Sequence, residues 1–518
     1  MRINALSATL GITLFSAFPV CAATYYVAPI GATQTCPPAG TEECPWDSVG
    51  SALSSGKIAS GDILKLKDGK HGRVQVSGYK FTTPVVIEAV TPQAAQVDQI
   101  NVANGASGLT FRNLTVYGQD SDPSTLVTSD ATSSNVVFDG LDIRSREHIE
   151  DRLSWTASQW VQRSRDGILL FSSNSKVVNC TLTAVKFGIS SNGPNSEVVG
   201  NRVVDFSADA LRAMDFNTIR GNFVANSFRV DGNHDDGFQS WAGATGKVDS
   251  LTLDGNTILE WTHDPSHPLK SSLEGIGLFD GFYDNLVIRN NVIAVTAHHG
   301  IAVYGARNAQ IVNNTVVQSG AVIVDYPWIA VFAHKNGTPS SNVMVANNVA
   351  MRFSDSSAKD NVVFTDNSVV FHPSAVFESP TAFDFRPKID SGFIDTANAL
   401  HAPSLDIVGG VRPFGAGPDR GAYEIGSSSS GGAIDGAAPA PTTTVPSTGT
   451  DTTENGTSPT NTTPTETTTD PVTTPISPGP KFVKARPTKK EKARLRVERR
   501  AAKRLLRMQL QQQSISGS

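Results

Sequence analysis

Cysteine is scarce, with four in 518 residues. That excludes a disulfide-dense scaffold, and no two of the four stand at the spacing of a zinc site. Long apolar runs are missing beyond the N-terminus. One runs from Leu6 to Val20, and no later segment reaches the ~18 apolar residues of a membrane helix. Acidic and basic residues make up only 18% of the chain, with a net charge of −5, but the balance is uneven. Between Lys481 and Arg507 stand thirteen Lys or Arg and two Glu, a net +11 that leaves −16 for the rest. Large apolar side chains are also thin from Ser427 to Pro480, where Ser, Thr, Pro, Gly and Asn dominate. Such a stretch cannot bury a core and reads as a disordered linker.

These shortages set the organisation. Arg2, the apolar run and the small residues Ala22 and Ala23 read as a secretory signal over 1–23. A large domain is expected over 24–426, a linker over 427–480, and a basic, helix-compatible tail over 481–518. Export, extracellular or periplasmic, makes a Cys36–Cys44 disulfide plausible and leaves Cys180 as a buried small residue. The tail could grip an anionic polymer or an envelope surface, or be a solvated charged helix. Export argues against nucleic acid, and a monomer is expected.

What is present is a repeat. Gly200-Asn201, Gly221-Asn222, Gly255-Asn256, Asn290-Asn291, Asn313-Asn314 and Asn347-Asn348 recur, with Leu114, Leu141 and Cys180 in the same slot upstream. The shorter spacings are about twenty residues, the length of one solenoid coil. Val and Ile alternate beside each Asn, as in Val198, Ile219, Ile288 and Ile311, so the unit is built of strands. Stacked Asn side chains can bond along a ladder inside turns. The fold class is therefore all-β, a single-stranded right-handed parallel β-helix with an N-terminal cap.

A second column aligns as Gly167-Ile168, Gly188-Ile189, Ala210-Leu211, Gly237-Phe238, Gly275-Ile276 and Gly300-Ile301. Alternation turns the apolar member inward. The next residue then faces out, giving Leu169, Ser190, Arg212, Gln239, Gly277 and Ala302. Two further along come Phe171, Asn192, Met214, Trp241, Phe279 and Tyr304. Before the column stand acids: Asp166, Asp209, Asp235 with Asp236, and Glu274. Long insertions enter the same strand, over 145–165 with Arg163, Arg165, Trp155 and Trp160, and over 260–273 with His263, His267 and Lys270. Long loops on a rigid scaffold are common seats of function, and these could wall a groove.

Acids on neighbouring coils lie about 4.8 Å apart and repel unless a cation or proton intervenes. Asp209, Asp235, Asp236 and Glu274 are therefore candidate ligands for Ca²⁺. Cations and aromatics beside them suit a uronate polymer. β-Elimination needs the carboxylate neutralised and the C5 proton removed. Arg212 or the metal serves the first. Lys270, His234 or an Arg serves the second, and Tyr304 or water protonates the leaving oxygen. Gln239, Trp241, Phe279, Arg163, Arg165 and His299 are candidate substrate contacts. Plainer roles are open to the same residues: an Asp before Gly is also a turn signal, Lys270 could be a solvated loop lysine, and His298-His299 could be turn packing.

Asp209-Ala210-Leu211 after Ser207-Ala208, followed by Asn233-His234-Asp235-Asp236-Gly237-Phe238, resembles the motifs of family 9 pectate lyases. The resemblance implies a right-handed parallel β-helix, calcium ligands at Asp209, Asp235 and Asp236, and a lysine base. The pattern's last ligand position is Gln239 here and its base position is Gly277, with Lys270 just upstream. Tyr25-Tyr26-Val27-Ala28-Pro29 is similar to the N-terminal cap of β-helix lyases and epimerases. Pro418-Asp419-Arg420-Gly421-Ala422-Tyr423-Glu424 is similar to their closing motif, and Gly300-Ile301-Ala302-Val303-Tyr304 to coils of secreted alginate C5-epimerases. The expected activity is a secreted lyase on a uronate-containing polysaccharide. The alternatives are a C5-epimerase, a glycoside hydrolase, or a non-catalytic polysaccharide-binding surface protein.

Overall fold

The structure is a computed structural model that describes residues 22–119, 124–319, 325–354 and 360–426. The chain divides into two units, 1–444 and 445–518. The second unit lies outside the described residues, as do most of the expected export signal, the linker and the basic tail.

A typical coil contributes one short strand to each of three parallel sheets. A representative coil runs Asp166–Leu170 in sheet C, Lys176–Val178 in sheet A and Thr181–Val185 in sheet B. It then returns to sheet C at Ile189–Ser191. Among the described residues, sheets A, B and C contain fifteen, twelve and eleven strands, each paired in parallel with its neighbouring coils. The molecule is a parallel β-helix, of the right-handed kind that parallel crossovers favour.

The two-residue turn from sheet A to sheet B explains the repeat. Its first residue adopts a left-handed backbone: Asn179, Gly200, Gly221, Gly255, Asn290, Asn313 and Asn347 have φ between 53° and 67°. Gly has no Cβ to clash there, and Asn tolerates the region best among the others. Its second residue carries the ladder. The Asn201 N–H and Nδ2 both donate to Asn222 Oδ1 at 3.0 Å. Asn222 does the same to Asn256, Asn256 to Asn291, Asn291 to Asn314, Asn314 to Asn348 and Asn348 to Asn367. The remaining Nδ2 hydrogen reaches a strand carbonyl, as from Asn201 to Val177 O at 2.9 Å. Every one of these buried amides is thereby satisfied, which is what permits them inside. Cys180 ends the ladder, its N–H donating to Asn201 Oδ1, and burial pushes its thiol up to about 12. It is an inert packing residue, as its slot suggests.

Between the sheets lies one continuous aliphatic core. Sheet A contributes Val177, Val198, Ile219, Leu253, Ile288 and Ile311, and sheet B contributes Leu182, Val203, Val224, Ile258 and Ile293, all buried. Sheet C contributes Ile168, Ile189, Leu211, Phe238, Ile276 and Ile301, in register from strand to strand. At the N-terminal end the helix Val49–Ser54 covers the core with Ala52 and Leu53. The Cys36–Cys44 disulfide closes the loop beside it. The segment 393–426 lies along the outside of the Asn turns. Asn290, Asn313 and Asn347 donate to its carbonyls at Leu405, Asp419 and Asn398. Buried Arg412 pairs with Glu424 at 3.2 Å within it.

The ladder is testable. Asn256→Ala leaves the N–H and one Nδ2 hydrogen of Asn222 without an acceptor, and buried donors left unpaired cost about 1–3 kcal/mol each. The expected loss is about 3 kcal/mol in urea unfolding, whereas Cys180→Ala, which removes no acceptor from a neighbour, costs about 1 kcal/mol.

Candidate functional site

The two long insertions leave sheet B and return to sheet C on the same flank. The first carries a 3-10 turn, Arg152–Ser154, and a helix, Ala157–Arg163, opened by a Thr156–Gln159 capping box. Most of their large apolar side chains turn inward, although Leu153 and Val161 stay exposed. Ile149, Trp155, Trp160, Phe228 and Trp261 form a second small core over sheet B, with Trp160 stacked on Phe228 at 4.4 Å. A buried carboxylate fastens both loops. Asp205 accepts from Arg152 Nε at 2.6 Å and from Asn226 Nδ2 at 2.9 Å, and lies 2.7 Å from His263 Nε2. Burial pushes the Asp205 carboxyl up, but the His263 hydrogen bond and the Arg152 charge outweigh burial and hold it below its ordinary value. The expected substrate residues Arg163 and Arg165 belong to this loop's own structure. Arg163 pairs with Asp151 at 3.3 Å and covers Trp155, and Arg165 bonds the carbonyls of Gln162 and Ser164. A cleft of about 460 Å³ opens beside Arg146, His148 and Arg163.

The chemistry gathers on the outer face of sheet C. Strand register carries Ser190, Arg212, Gln239, Gly277 and Ala302 up that face in one column. Arg212 is fixed from several sides. Its Nε donates to Ser190 Oγ at 2.9 Å, its guanidinium lies over Phe187 at 3.8 Å and Trp241 at 5.3 Å, and NH1 stands 3.8 Å from Asp209 Oδ2. Above it, Asp236 and Glu274 are register partners on adjacent strands. Asp236 is fully buried, and Gln239 Nε2 donates to its Oδ2 at 2.9 Å. His234 Nδ1 stands 3.3 Å from the same Oδ2 and 3.9 Å from Glu274 Oε2. His299 Nδ1 stands 3.1 Å from Glu274 Oε1, within ion-pair range but off the line of a hydrogen bond.

The crowding shifts these groups. Burial pushes Asp236 up to about 8, against the His234 hydrogen bond and with the help of Asp209 and Glu274. The hydrogen bond to Asp236 raises His234 to about 9. Burial raises Asp209 as well. For Glu274, burial acts upward but the His299 interaction outweighs it, and the carboxyl is lowered. The cluster thus keeps protons among its acids and on His234, because several carboxylates packed one strand apart cannot all ionise alone.

Aromatic rings flank it. Phe279 touches His299 at 5.2 Å and Tyr304 at 5.4 Å, Tyr304 touches Phe332 at 5.0 Å, and Trp328 meets both His299 and Phe332. The belt is less regular than alternation implies. A register shift at Ser240/Trp241 pairs Trp241 with Asp280. The Phe279 ring folds back over Gly277, where an added Cβ would lie 2.5 Å from it and 3.0 Å from Asp236 Oδ1. Phe187, Trp328 and Phe332 were not singled out from the sequence. Phe187 stands just before Gly188 of the aligned column, and that was the available signal.

Two expected site residues lie elsewhere. Asp235 accepts from Ser227 Oγ at 2.5 Å, and burial pushes it up to about 6. It lies just before the strand Asp236–Trp241 and is held by Ser227, whereas Asp236 meets Gln239 and His234. Lys270 pairs its Nζ with Glu260 at 3.1 Å, on the flank of the second insertion. The donors expected for Ca²⁺ are therefore not assembled as a set. Asp235 is engaged by Ser227, and Asp209 by the Asp236 N–H and Arg212. The three side chains that converge are His234, Asp236 and Glu274, with one donor atom from each within 4.8 Å of the others.

No family model and no curated protein matches this chain. Solved structures with similar backbones include the pectate lyase Pel9A, at 15% identity and TM-score 0.42, covering 77% of this chain and 96% of that one. The A-module of a mannuronan C-5 epimerase, AlgE6, from Azotobacter vinelandii is similar at 13% identity and TM-score 0.35, over 62% and 92%. A lacto-N-biosidase from Eubacterium ramulus is similar at 12% identity and TM-score 0.34, over 67% of each chain. Rhamnogalacturonan and alginate lyases also match. These likenesses assign no residue, and the fold rests on the three parallel sheets themselves.

The loop clasp gives a test. Asp205→Ala strands Arg152 and His263 and is expected to cost about 3 kcal/mol, with new protease cleavage in 145–165. Because the Asp205 carboxyl is depressed in the folded state, its contribution is present above the ordinary carboxylate range. It is lost as pH falls through the depressed value. Acid unfolding of the parent should therefore converge on that of the variant at low pH.

Proposed function

We propose that this chain is an exported polysaccharide lyase that cleaves a uronate-containing polymer by β-elimination on the outer face of sheet C. The observation that carries this reading is Arg212. It is a largely buried guanidinium, held over Phe187 by Ser190 and set beside a cluster of carboxylates and imidazoles on an exposed, aromatic-flanked face. A fixed cation is what a uronate carboxylate needs, because neutralising that charge acidifies the C5 proton. A guanidinium also matches a carboxylate geometrically.

The base is an imidazole in this reading. His299, oriented by Glu274 and packed against Phe279 and Trp328, removes the C5 proton. The electron pair forms the C4=C5 double bond and the C4–O bond breaks. The departing oxygen takes a proton from Tyr304, whose phenol is raised by burial and therefore kept protonated. Phe279 and Trp241 stack on sugar faces. A dication at Asp236 and Glu274, calcium in the motif's own chemistry, would add charge neutralisation when bound. The +11 tail suits the same anionic polymer or an anionic surface.

The two carboxylate-oriented imidazoles, His234 and His299, favour one second reading. A C5-epimerase would take a proton on one face and return one on the other.

The experiment is an ultraviolet assay for the C4=C5 bond on pectate, alginate and glucuronan, with reducing ends followed in parallel. Double-bond formation is expected on one of them, and Arg212→Ala should lower the rate by ~10²–10³. Lys270→Ala should keep nearly full activity, and a large loss would return Lys270 to the role of base. No double bond but deuterium uptake from heavy water would assign the epimerase instead.

A further inference from the structure

We infer that His234, Asp236 and Glu274 form a binding site for a borderline transition-metal dication, zinc in type, and that the site prefers it to Ca²⁺. The inference rests on sheet C carrying the active face.

Three observations support it. First, the converging donors are mixed: an imidazole nitrogen and two carboxylates, with one atom of each within 4.8 Å of the others. Calcium takes six to eight oxygens in a roomy shell, whereas zinc accepts three N/O side chains and leaves one position open. Second, Asp236 Oδ1 and Glu274 Oε2 have no hydrogen-bond partner, and the Asp236 side chain is wholly buried. His234 Nδ1 lies 3.3 Å from Asp236 Oδ2 and 3.9 Å from Glu274 Oε2, and the two oxygens left open call for a bound cation or a shared proton. The nearby Arg212 and Lys270 are engaged elsewhere, so His234 and His299 are the groups that face these acids. Arg212 turns to Ser190 and Asp209, and Lys270 to Glu260. Third, the remaining oxygens that calcium would need are committed. Asp209 Oδ1 accepts the Asp236 N–H, Asp236 Oδ2 accepts Gln239 Nε2, and Asp235 accepts Ser227.

Gly277 fits this arrangement. With no Cβ of its own, it lets the Phe279 ring fold over it without a side chain pressing on Asp236 Oδ1. His234 supplies the nitrogen from the exposed side, at 56% exposure, so a metal could enter without opening the core. Borderline dications favour such nitrogen-containing sets over calcium.

Calorimetric titration of the chelator-treated full chain with Zn²⁺ and with Ca²⁺, and visible spectra with Co²⁺, test this without substrate. One equivalent of Zn²⁺ should bind, Ca²⁺ should bind far more weakly, and Co²⁺ should give the intensified visible bands of a low-coordinate site. His234→Ala, at an exposed position that leaves the fold intact, should weaken Zn²⁺ by ~10–100-fold, and Asp236→Asn should do the same. Calcium binding as tight as zinc overturns the inference. So does the absence of both metals, which would leave a shared proton between Asp236 and Glu274, or Zn²⁺ binding unchanged in both variants. The lyase reading fails separately: stoichiometric zinc with no C4=C5 product on any polymer removes the reaction and keeps the metal site. A chelator-insensitive lyase that binds no zinc does the reverse.

Discussion

Everything in this molecule depends on coils stacking in register. A parallel strand pairs only with its neighbours above and below, so each coil must return its three strands to the same heights. The turn from sheet A to sheet B enforces this with two residues. One is left-handed, and one donates both its backbone and side-chain hydrogens to the next Asn. A slip of one residue would bury unpaired amides and turn the Val and Ile columns outward. The ladder is therefore both a polar satisfaction device and a ruler.

The same ruler creates the chemistry. A regular stack places like residues one strand apart, which stabilises aliphatic columns and penalises acidic ones. Asp209, Asp236 and Glu274 are forced together by the register that aligns Leu211, Phe238 and Ile276. Their repulsion is relieved by His234, His299 and Arg212, and by protons the carboxyls retain. A charged, partly protonated cluster on an open face is expensive for folding and useful for moving a proton, as perturbed groups at functional sites usually are. The loops contribute differently. Their tryptophans build a second core over sheet B and their charges meet on Asp205, so they brace the flank from which the sheet C strands are launched.

Much was legible from residue order. Coil period, the Asn ladder, the inward column of sheet C and the outward Arg212, Gln239 and Gly277 are local patterns repeated many times. Periodicity reports them directly. The disulfide and the buried Cys180 followed from spacing and slot. The asparagines, the alternating apolar residues and the left-handed Gly or Asn positions thus determined by themselves that the chain winds into a β-helix and which face carries the polar site. Only the tertiary structure decided which acids meet. Asp235 and Asp236 are adjacent letters, but Asp235 is held by Ser227 while Asp236 joins His234 and Glu274. Only it decided that Lys270 pairs with Glu260, that Arg163 and Arg165 are tied within their own loop, and that His234 and His299 close on the carboxylates. Those pairings span insertions of irregular length and a register shift at Trp241. No period in the sequence encodes them, because they are set by how the insertions fold and by packing between coils.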